Sequence, residues 1–439
     1  MGNSTFKGGI HPYEGKELSK DKPIKRYLPK DELVFFLSQH IGAPANPVVA
    51  VGDQVLVGQK IAEAGGFVSA PVYSSVSGTV KAIEPRRNNV SVMANAIIIE
   101  NDHEYKEVTY NKVDDVAKLT REEILAKIQE AGIVGMGGAG FPTHVKLSPK
   151  EPEKIDHIIV NCAECEPYLT SDYRLLLEEP ERLIGGLKIM LQMFDNAKGV
   201  FAIEDNKPDC IEKMRALVES EPRIEVRALK TKFPQGSERH MIYAVTGRSI
   251  NSSMLPADAG CIVDNVETVI SIYDAVKEGL PLTERVVTIT GEAINDPRNF
   301  LVKVGTYFDE LIEAAGGLVC EPEKILAGGP MMGPAVFDKH FPVTKTTSTL
   351  LCMVEDEVAK YEPTACINCG RCVEVCPSRL VPAHLSKMVE RGDIETFEKM
   401  DGAECVECGS CSFICPAKRH LAQAMKAGRQ TVLANRKKK

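Results

Sequence analysis

Nowhere in the 439 residues do ~18 apolar residues follow one another, the length a membrane-spanning helix requires, so no span is expected. The opening Met1–Leu18 lacks the apolar core of a secretory signal, and a soluble, cytoplasmic chain is expected. Positive charge is not in excess: 53 Lys and Arg stand against 61 Asp and Glu, a net −8, so nucleic acid is not expected as a partner. Tryptophan is absent, which excludes nothing. Acidic residues vanish from one stretch. Ala417 to Lys439 holds eight Lys or Arg and no Asp or Glu, ending in Arg436-Lys437-Lys438-Lys439. It reads as a solvated, frayed tail or as a docking segment for acidic protein or anionic lipid headgroups.

What is present points to an ordinary multidomain globular protein. With 44% apolar and 26% charged residues, the chain can bury real cores, and its length suits three or four domains of ~100–200 residues. Fourteen cysteines in a long chain with no secretory leader read as metal ligands or redox groups, not as disulfides. Eight fall in two regular runs. For Cys162, Cys165, Cys210, Cys261, Cys320 and Cys352, burial in the core is the plainer reading.

Four regions separate by pattern, and together they predict a multidomain α/β and α+β chain. Residues 1–108 are rich in short strands: Val49, Val51, Val55, Val57 and Ile61 alternate with polar residues between Gly turns. The pattern resembles the barrel-sandwich fold of lipoyl and biotinyl carriers. Those carriers present a modifiable Lys in the hairpin between their halves, where this chain reads Ala64-Gly65-Gly66-Phe67, so a scaffold is expected here and not a swinging arm. Residues 109–282 alternate helix and strand: a capping box at Thr120–Glu123, strands at 157–160, 199–203 and 224–229, and helices at 180–194 and 209–219. Residues 283–350 suggest a small β-grasp module, with a strand from Val286 and a helix at Phe308–Ala315. Residues 351–439 are the cysteine-rich end.

The cysteine runs carry the strongest signal. Cys366, Cys369, Cys372 and Cys376-Pro377, then Cys405, Cys408, Cys411 and Cys415-Pro416, both have the spacing that holds [4Fe-4S] clusters. The fourth Cys of each run ligates the other cluster in such pairs. That assigns Cys366, Cys369, Cys372 and Cys415 to one cluster, and Cys405, Cys408, Cys411 and Cys376 to its neighbour. Zinc quartets are the alternative for isolated sets of four. Helical patterning between the runs (Leu385, Met388, Val389, then Ile394, Phe397, Met400) predicts a helix-bearing ferredoxin. Arg371, Lys418 and Arg419 lie close in sequence to the ligands.

Gly135-Met136-Gly137-Gly138-Ala139-Gly140 satisfies G-x-G-x-x-G, but a helix and not a strand precedes it, which argues against a standard Rossmann site. The glycines still permit backbone N–H groups to approach a phosphate closely. A flexible surface loop is the bland alternative.

From Gly137 through Thr143, then Lys146, then Asn161-x-x-Glu164-x-Glu166-Pro167, the chain resembles the flavin- and NADH-binding subunit of respiratory complex I. Gly236-Ser237-Glu238 and Asp264-Asn265-Val266-Glu267-Thr268 extend the likeness, which covers about 110–350. With a barrel-sandwich before this core and a two-cluster ferredoxin after it, the arrangement resembles the RnfC family, a component of the Rnf complexes, which are membrane ferredoxin:NAD oxidoreductases coupled to ion transport. The resemblance implies an FMN phosphate on Gly135, Gly137, Gly138 and Gly140 with Lys146 as cationic partner. Asn161, Glu164, Asn265 and Thr268 would surround the flavin, Phe141 would stack on a nucleotide ring, and Glu166 and Glu238 would line the NAD(H) side. It implies no catalytic acid or base, since hydride moves at the flavin. It further implies partner subunits in a membrane electron-transport complex and a peripheral place on the cytoplasmic side of the membrane. The chain departs from the complex I pattern at Ala163, Ser237 and Asp264, and at Leu147-Ser148-Pro149, where an aromatic residue is usual. Cys162-x-x-Cys165 leaves room for a third metal or a redox dithiol, though packing is the simpler reading. Two other functions stay open: a cobalamin reductase of bacterial microcompartments, and a non-catalytic electron relay with a vestigial nucleotide fold.

Overall fold

The computed structural model describes residues 4–90 and 92–438. At its centre four strands, His157–Cys162, Lys198–Glu204, Ile224–Leu229 and Cys261–Asn265, form one parallel sheet. Runs such as Ile158-Ile159-Val160 and Val200–Ile203 are apolar throughout, as strands covered on both faces must be. In space the order is 224–229, 198–204, 157–162, 261–265. The first three strands add in one direction and the fourth is laid on the other side of the first. The order therefore reverses between His157–Cys162 and Cys261–Asn265. In open α/β sheets the crevice beyond the carboxyl ends at such a reversal is where ligands bind.

Helices Pro180–Gln192 and Val266–Tyr273 pack together over this sheet, and Leu183, Leu187, Met190, Val269 and Ile272 enter its core. The capping box forms as expected: Thr120 accepts from the Glu123 N–H, and Glu123 accepts from the Thr120 N–H. That helix, Arg121–Glu130, buries Ile124 and Ile128, each worth about 1.5–3 kcal/mol, and leaves Leu125 half-buried. Gly132 ends the turn at φ 67°, a conformation only glycine adopts cheaply.

The β-grasp module is a six-stranded mixed sheet, Glu284–Thr290 and Thr349–Met353 at its middle, covered by the helix Phe308–Ala314. Its edge strand comes from far away: Lys25–Arg26 pairs in parallel with Arg298–Lys303. The barrel-sandwich region sets a four-stranded sheet (Glu32–Phe36, Met93–Asn101, Gly78–Arg87, Gln54–Val55) against a three-stranded one (Asn46–Pro47, Lys60–Glu63, Val72–Tyr73). Leu33, Phe35, Val55, Ile61, Val80 and Ile97 fill the space between them.

Some sequence expectations shift. Residues 4–26, grouped with the barrel-sandwich by pattern, run instead along the central domain and into the β-grasp sheet. Val51 is 63% exposed, not inward, because Val51-Gly52 is a turn and the alternation there breaks. Met400 and Cys320 are exposed as well. The C-terminal stretch is not frayed through Arg436. Leu421–Lys438 is a helix that buries Leu421, Met425 and Val432, with Arg429 and Arg436 paired to Glu407 and Glu398, both at 2.8 Å. The side chains of Lys437 and Lys438, and Lys439 entirely, lie outside the described residues.

Candidate functional site

The glycine loop sits at the strand-order reversal. A short bridge between Val134 and Pro142, and the Gly135 N–H donating to the Phe141 carbonyl at 2.9 Å, close the loop at its base. Gly137, Gly138 and Ala139 form an exposed crest. The Met136 N–H donates to Thr268 Oγ1 at 3.0 Å, so the helix Val266–Tyr273 supports the loop from below. Two glycines are dictated by this packing. A Cβ on Gly137 would stand 2.9 Å from that of Asn265, and one on Gly140 (φ 74°) would stand 2.7 Å from Thr346 Cγ2. Around Gly138 there is open space. A crest of bare backbone over open space fits a phosphate-bearing group.

Beside the crest, Asn265 caps its helix by accepting from the Glu267 N–H at 3.0 Å, and its Nδ2 donates to Asp172 at 2.7 Å. At the end of the neighbouring strand Asn161 donates to the Gly236 carbonyl at 2.8 Å. Lys146 donates to the Val263 carbonyl at 2.7 Å and pairs with Asp264 at 3.2 Å and Glu238 at 3.7 Å. Burial alone would lower the Lys146 ammonium, but those two carboxylates hold its pKa above the ordinary lysine value. Phe141 is half-buried. Glu166 accepts from the N–H groups of Met331 and Met332, at 2.7 and 3.0 Å, and so ties the site to the β-grasp module.

The segment Ala163–Leu169 between these groups is held from beneath by two buried lysines. Lys16 Nζ donates to the carbonyls of Glu164, Glu166 and Leu169 and lies 3.8 Å from the Glu164 carboxylate. Lys207 Nζ donates to the Ala163 carbonyl at 2.7 Å. They fix Glu164 at φ 46°, a left-handed conformation that costs a non-glycine residue about 1–2 kcal/mol. Glu164 Oε1 accepts from the Asp172 N–H at 2.8 Å, while the buried Oε2 has no hydrogen-bond donor. Burial pushes the Asp172 carboxyl well above the usual range, and the Glu164 and Glu267 charges push it further. An unsatisfied buried carboxylate oxygen beside an open crest fits a site for a polar ligand such as a flavin.

No local sequence pattern marks Lys16, Lys207 or Asp172, because each acts across more than 35 residues or from another region. Cys162 and Cys165 have separate partners. The Cys162 thiol donates back to the Val160 carbonyl and that of Cys165 accepts from the Gly236 N–H at 3.1 Å. Burial pushes both far up, which suits packed thiols and not a reactive dithiol.

The eight run cysteines line two cavities, and the sets are crossed. One, about 200 Å³, is lined by Cys366, Cys369, Cys372 and Cys415; the other by Cys376, Cys405, Cys408 and Cys411. Among the described residues no three His, Cys, Asp or Glu side chains converge on one metal ion. Four thiols spread around a cavity suit a cubane better than a zinc quartet. The two sites differ in setting. Residues 361–370 are almost wholly exposed, with Ile367 at 67%, whereas residues 402–411 are half-buried or buried. Cys408 lies in one apolar cluster with Phe233, Met331 and Cys165. Glu404 accepts from Arg239 at 3.0 Å and from the Ser252 N–H at 2.7 Å. Lys418 covers the Tyr361 ring at 3.8 Å, Arg419 pairs with Glu390 at 2.6 Å, and Arg371 is exposed.

Four family models match: an RnfC barrel-sandwich hybrid domain at residues 4–104, a Nuo51 FMN-binding domain at 128–274, an SLBB domain at 286–335 and a 4Fe-4S dicluster domain at 355–419. The chain is 40% identical to the C subunit of the Na(+)-translocating ferredoxin:NAD(+) oxidoreductase complex of Acetobacterium woodii, over 99% of both chains. It is 44% identical to the C subunit of the proton-translocating complex of Clostridium ljungdahlii, covering 87% of this chain and 84% of that one. The C subunit of an ion-translocating oxidoreductase complex of Rhodobacter capsulatus is 38% identical, over 90% and 77% respectively. Among the described residues no helix is long and apolar enough to cross a membrane.

Proposed function

The chain belongs to the RnfC family, the C subunits of ion-translocating ferredoxin:NAD(+) oxidoreductase complexes, and on that premise we propose that it exchanges hydride with NAD(H) at one end and single electrons with partner subunits at the other. Bound FMN would supply the hydride chemistry and two [4Fe-4S] clusters the one-electron steps. The chain's residues hold, orient and space these groups.

The units 1–108, 109–282, 283–350 and 351–439 divide that work, with residues 4–26 lent to the later ones. Gly135, Gly137, Gly138 and Gly140 offer backbone to the flavin phosphate, and Lys146, fixed by Asp264 and Glu238, contributes a nearby cation whose net charge those carboxylates temper. Asn161, Glu164 and Asn265 would offer donors and acceptors to the isoalloxazine and ribityl groups, while Thr268, wholly buried, would act through the loop by holding the Met136 N–H. Phe141 offers a ring face to the dinucleotide, with Glu238 on the same side. Glu166 acts from farther back, by anchoring the Met331 loop.

The observation that carries the reading is the continuity between the sites. Asn161 bonds Gly236, Gly236 bonds Cys165, and Cys165 packs in the cluster that contains Cys408. The cluster of Cys376, Cys405, Cys408 and Cys411 therefore faces the flavin. That of Cys366, Cys369, Cys372 and Cys415, in its exposed run beside Arg371, faces the partner. In a complex that moves ions across a membrane, the protein would sit peripherally on the cytoplasmic side, where NAD(H) is; that no helix among the described residues is long and apolar enough to cross a membrane supports the peripheral place. Gently purified protein should contain FMN, or take it up stoichiometrically, and NADH should bleach the flavin absorbance. Protein that neither holds nor accepts FMN would leave only an electron relay.

A further inference from the structure

Residues 4–10 join the flavin-binding sheet to the flavin-facing cluster. Ser4 extends the sheet edge: its N–H donates to Ala228 and its carbonyl accepts from Lys230, at 3.3 and 3.1 Å. Ile10 and Phe233 exchange both backbone hydrogen bonds at 2.9 Å, and both side chains are buried in the cluster that contains Cys408. Between these anchors the Gly9 N–H donates to the Val375 carbonyl at 2.8 Å. A Cβ on Gly8 would stand 2.9 Å from the carbonyl oxygens of Val375 and Cys376, and one on Gly9 would stand 2.9 Å from that of Phe233. Both glycines have φ near +87°, so the segment passes between the Phe233 turn and the Cys376 turn with backbone touching backbone. Lys232 tightens it from the flavin side, donating to the carbonyls of Phe6 and Gly8 and lying 3.8 Å over the Phe6 ring. The Phe6 ring also meets that of His240, 4.7 Å between ring centres, and His240 is hydrogen-bonded to Ser237 Oγ at 2.9 Å in the turn that follows Phe233.

We propose that residues 4–10 are a splint that fixes the separation of the flavin site from the cluster held by Cys376, Cys405, Cys408 and Cys411, and so sets the rate of electron exchange between them. The proposal rests on the functional reading above. Neither partner needs the segment for its own core: the parallel sheet is complete without Ser4, and the ligand runs are closed by their own helices. What the segment adds is a direct backbone link from the sheet edge to Val375 and the Cys376 turn, and transfer between fixed groups depends steeply on their spacing.

Two variants of the holoprotein test this, Gly8→Val and a chain lacking residues 1–10. Rapid mixing with NADH would follow flavin reduction by absorbance and cluster reduction by freeze-quench electron paramagnetic resonance. Iron content and hydrogen exchange at the Val375–Arg379 amides would be measured alongside. The expected result is wild-type flavin reduction, full iron, faster exchange at those amides and a flavin-to-cluster phase slowed several-fold, because electron transfer between fixed groups falls off steeply with their separation. An unchanged flavin-to-cluster phase in the shortened chain overturns the proposal. Loss of the cluster itself from both variants also overturns it, since the segment would then be cluster scaffold. Wild-type protein without any flavin-to-cluster exchange would instead refute the functional reading, which keeps the two failures distinct.

Discussion

Replacing Lys16 with Met should loosen the flavin site although Lys16 is 150 residues away in sequence from the segment it holds. Its ammonium, 8% exposed as a residue, donates to three carbonyls at 2.8, 3.1 and 2.5 Å and lies 3.8 Å from the Glu164 carboxylate. Met has the length to fill the space but no donor. Three carbonyls would then be buried with one partner fewer, and the carboxylate, whose Oε2 has no hydrogen-bond donor, would lose its nearest cation. Each hydrogen bond to a charged group is worth about 1.5–3 kcal/mol, and breaking a buried pair from one side costs about 3–5 kcal/mol. These overlap, so about 3–5 kcal/mol is the expected total. Much of it should fall on Ala163–Leu169, with Glu164 relaxing from its left-handed backbone. If FMN must reorder that segment to bind, affinity should drop by ~100-fold or more, at about 1.4 kcal/mol per factor of ten. Flavin retention on gel filtration, FMN titration of the apoprotein and urea unfolding would measure it. A Lys16→Met protein that binds FMN as tightly as wild type and unfolds at the same urea concentration would refute the reasoning.

Cys376→Ala should deplete the cluster of Cys405, Cys408 and Cys411 and spare that of its own run, read by iron counting and electron paramagnetic resonance; loss of the Cys366, Cys369, Cys372 cluster instead would contradict the crossed cavities. Gly137→Val places branched carbon where even a Cβ would stand 2.9 Å from Asn265, so FMN affinity should fall with little change in cluster content; unchanged FMN titration would count against the loop as the cradle. Lys345 is buried against the carbonyls of Pro71 and Gly132, at 2.7 and 2.8 Å, and burial lowers its pKa to about 7 from 10.5. Between those values the unfolded chain binds a proton that the folded one does not, so this residue makes stability rise with pH, by at most about 1.4 kcal/mol per unit. Urea midpoints of wild type relative to Lys345→Met should therefore climb from about pH 7 toward pH 10, and a flat difference would contradict the assignment.

Much of this architecture was legible because it is local. The strand Ile224–Leu229 and the Thr120 capping box follow from runs and spacings a few residues long, and the crossed grouping of the cysteines around two cavities follows from their spacing. The cluster order was not legible. It depends on which face of the ferredoxin meets Phe233, Met331 and Cys165, contacts that include segments more than 170 residues apart. The same holds for Lys16 and Lys207, whose patterns mark them as ordinary surface lysines until the fold buries them. Glu166 shows the limit of motif transfer: its place in the segment is clear from sequence, but its carboxylate is spent on the Met331 and Met332 N–H groups. The basic C-terminal stretch misled for a related reason. Leu421, Met425 and Val432 lie on one helical face, and charge counting overlooks that spacing.

The most direct test asks whether single electrons at the clusters and hydride on NAD(H) are exchanged through this one protein. Holoprotein would be reduced anaerobically with a one-electron donor, freed of excess reductant and mixed with NAD(+), with cluster paramagnetic resonance and NADH absorbance followed together. The account predicts that both cluster signals disappear as NADH forms, one NADH for every two electrons withdrawn from the protein. Clusters that stay reduced in the presence of NAD(+), in protein with its full complement of FMN, would contradict it.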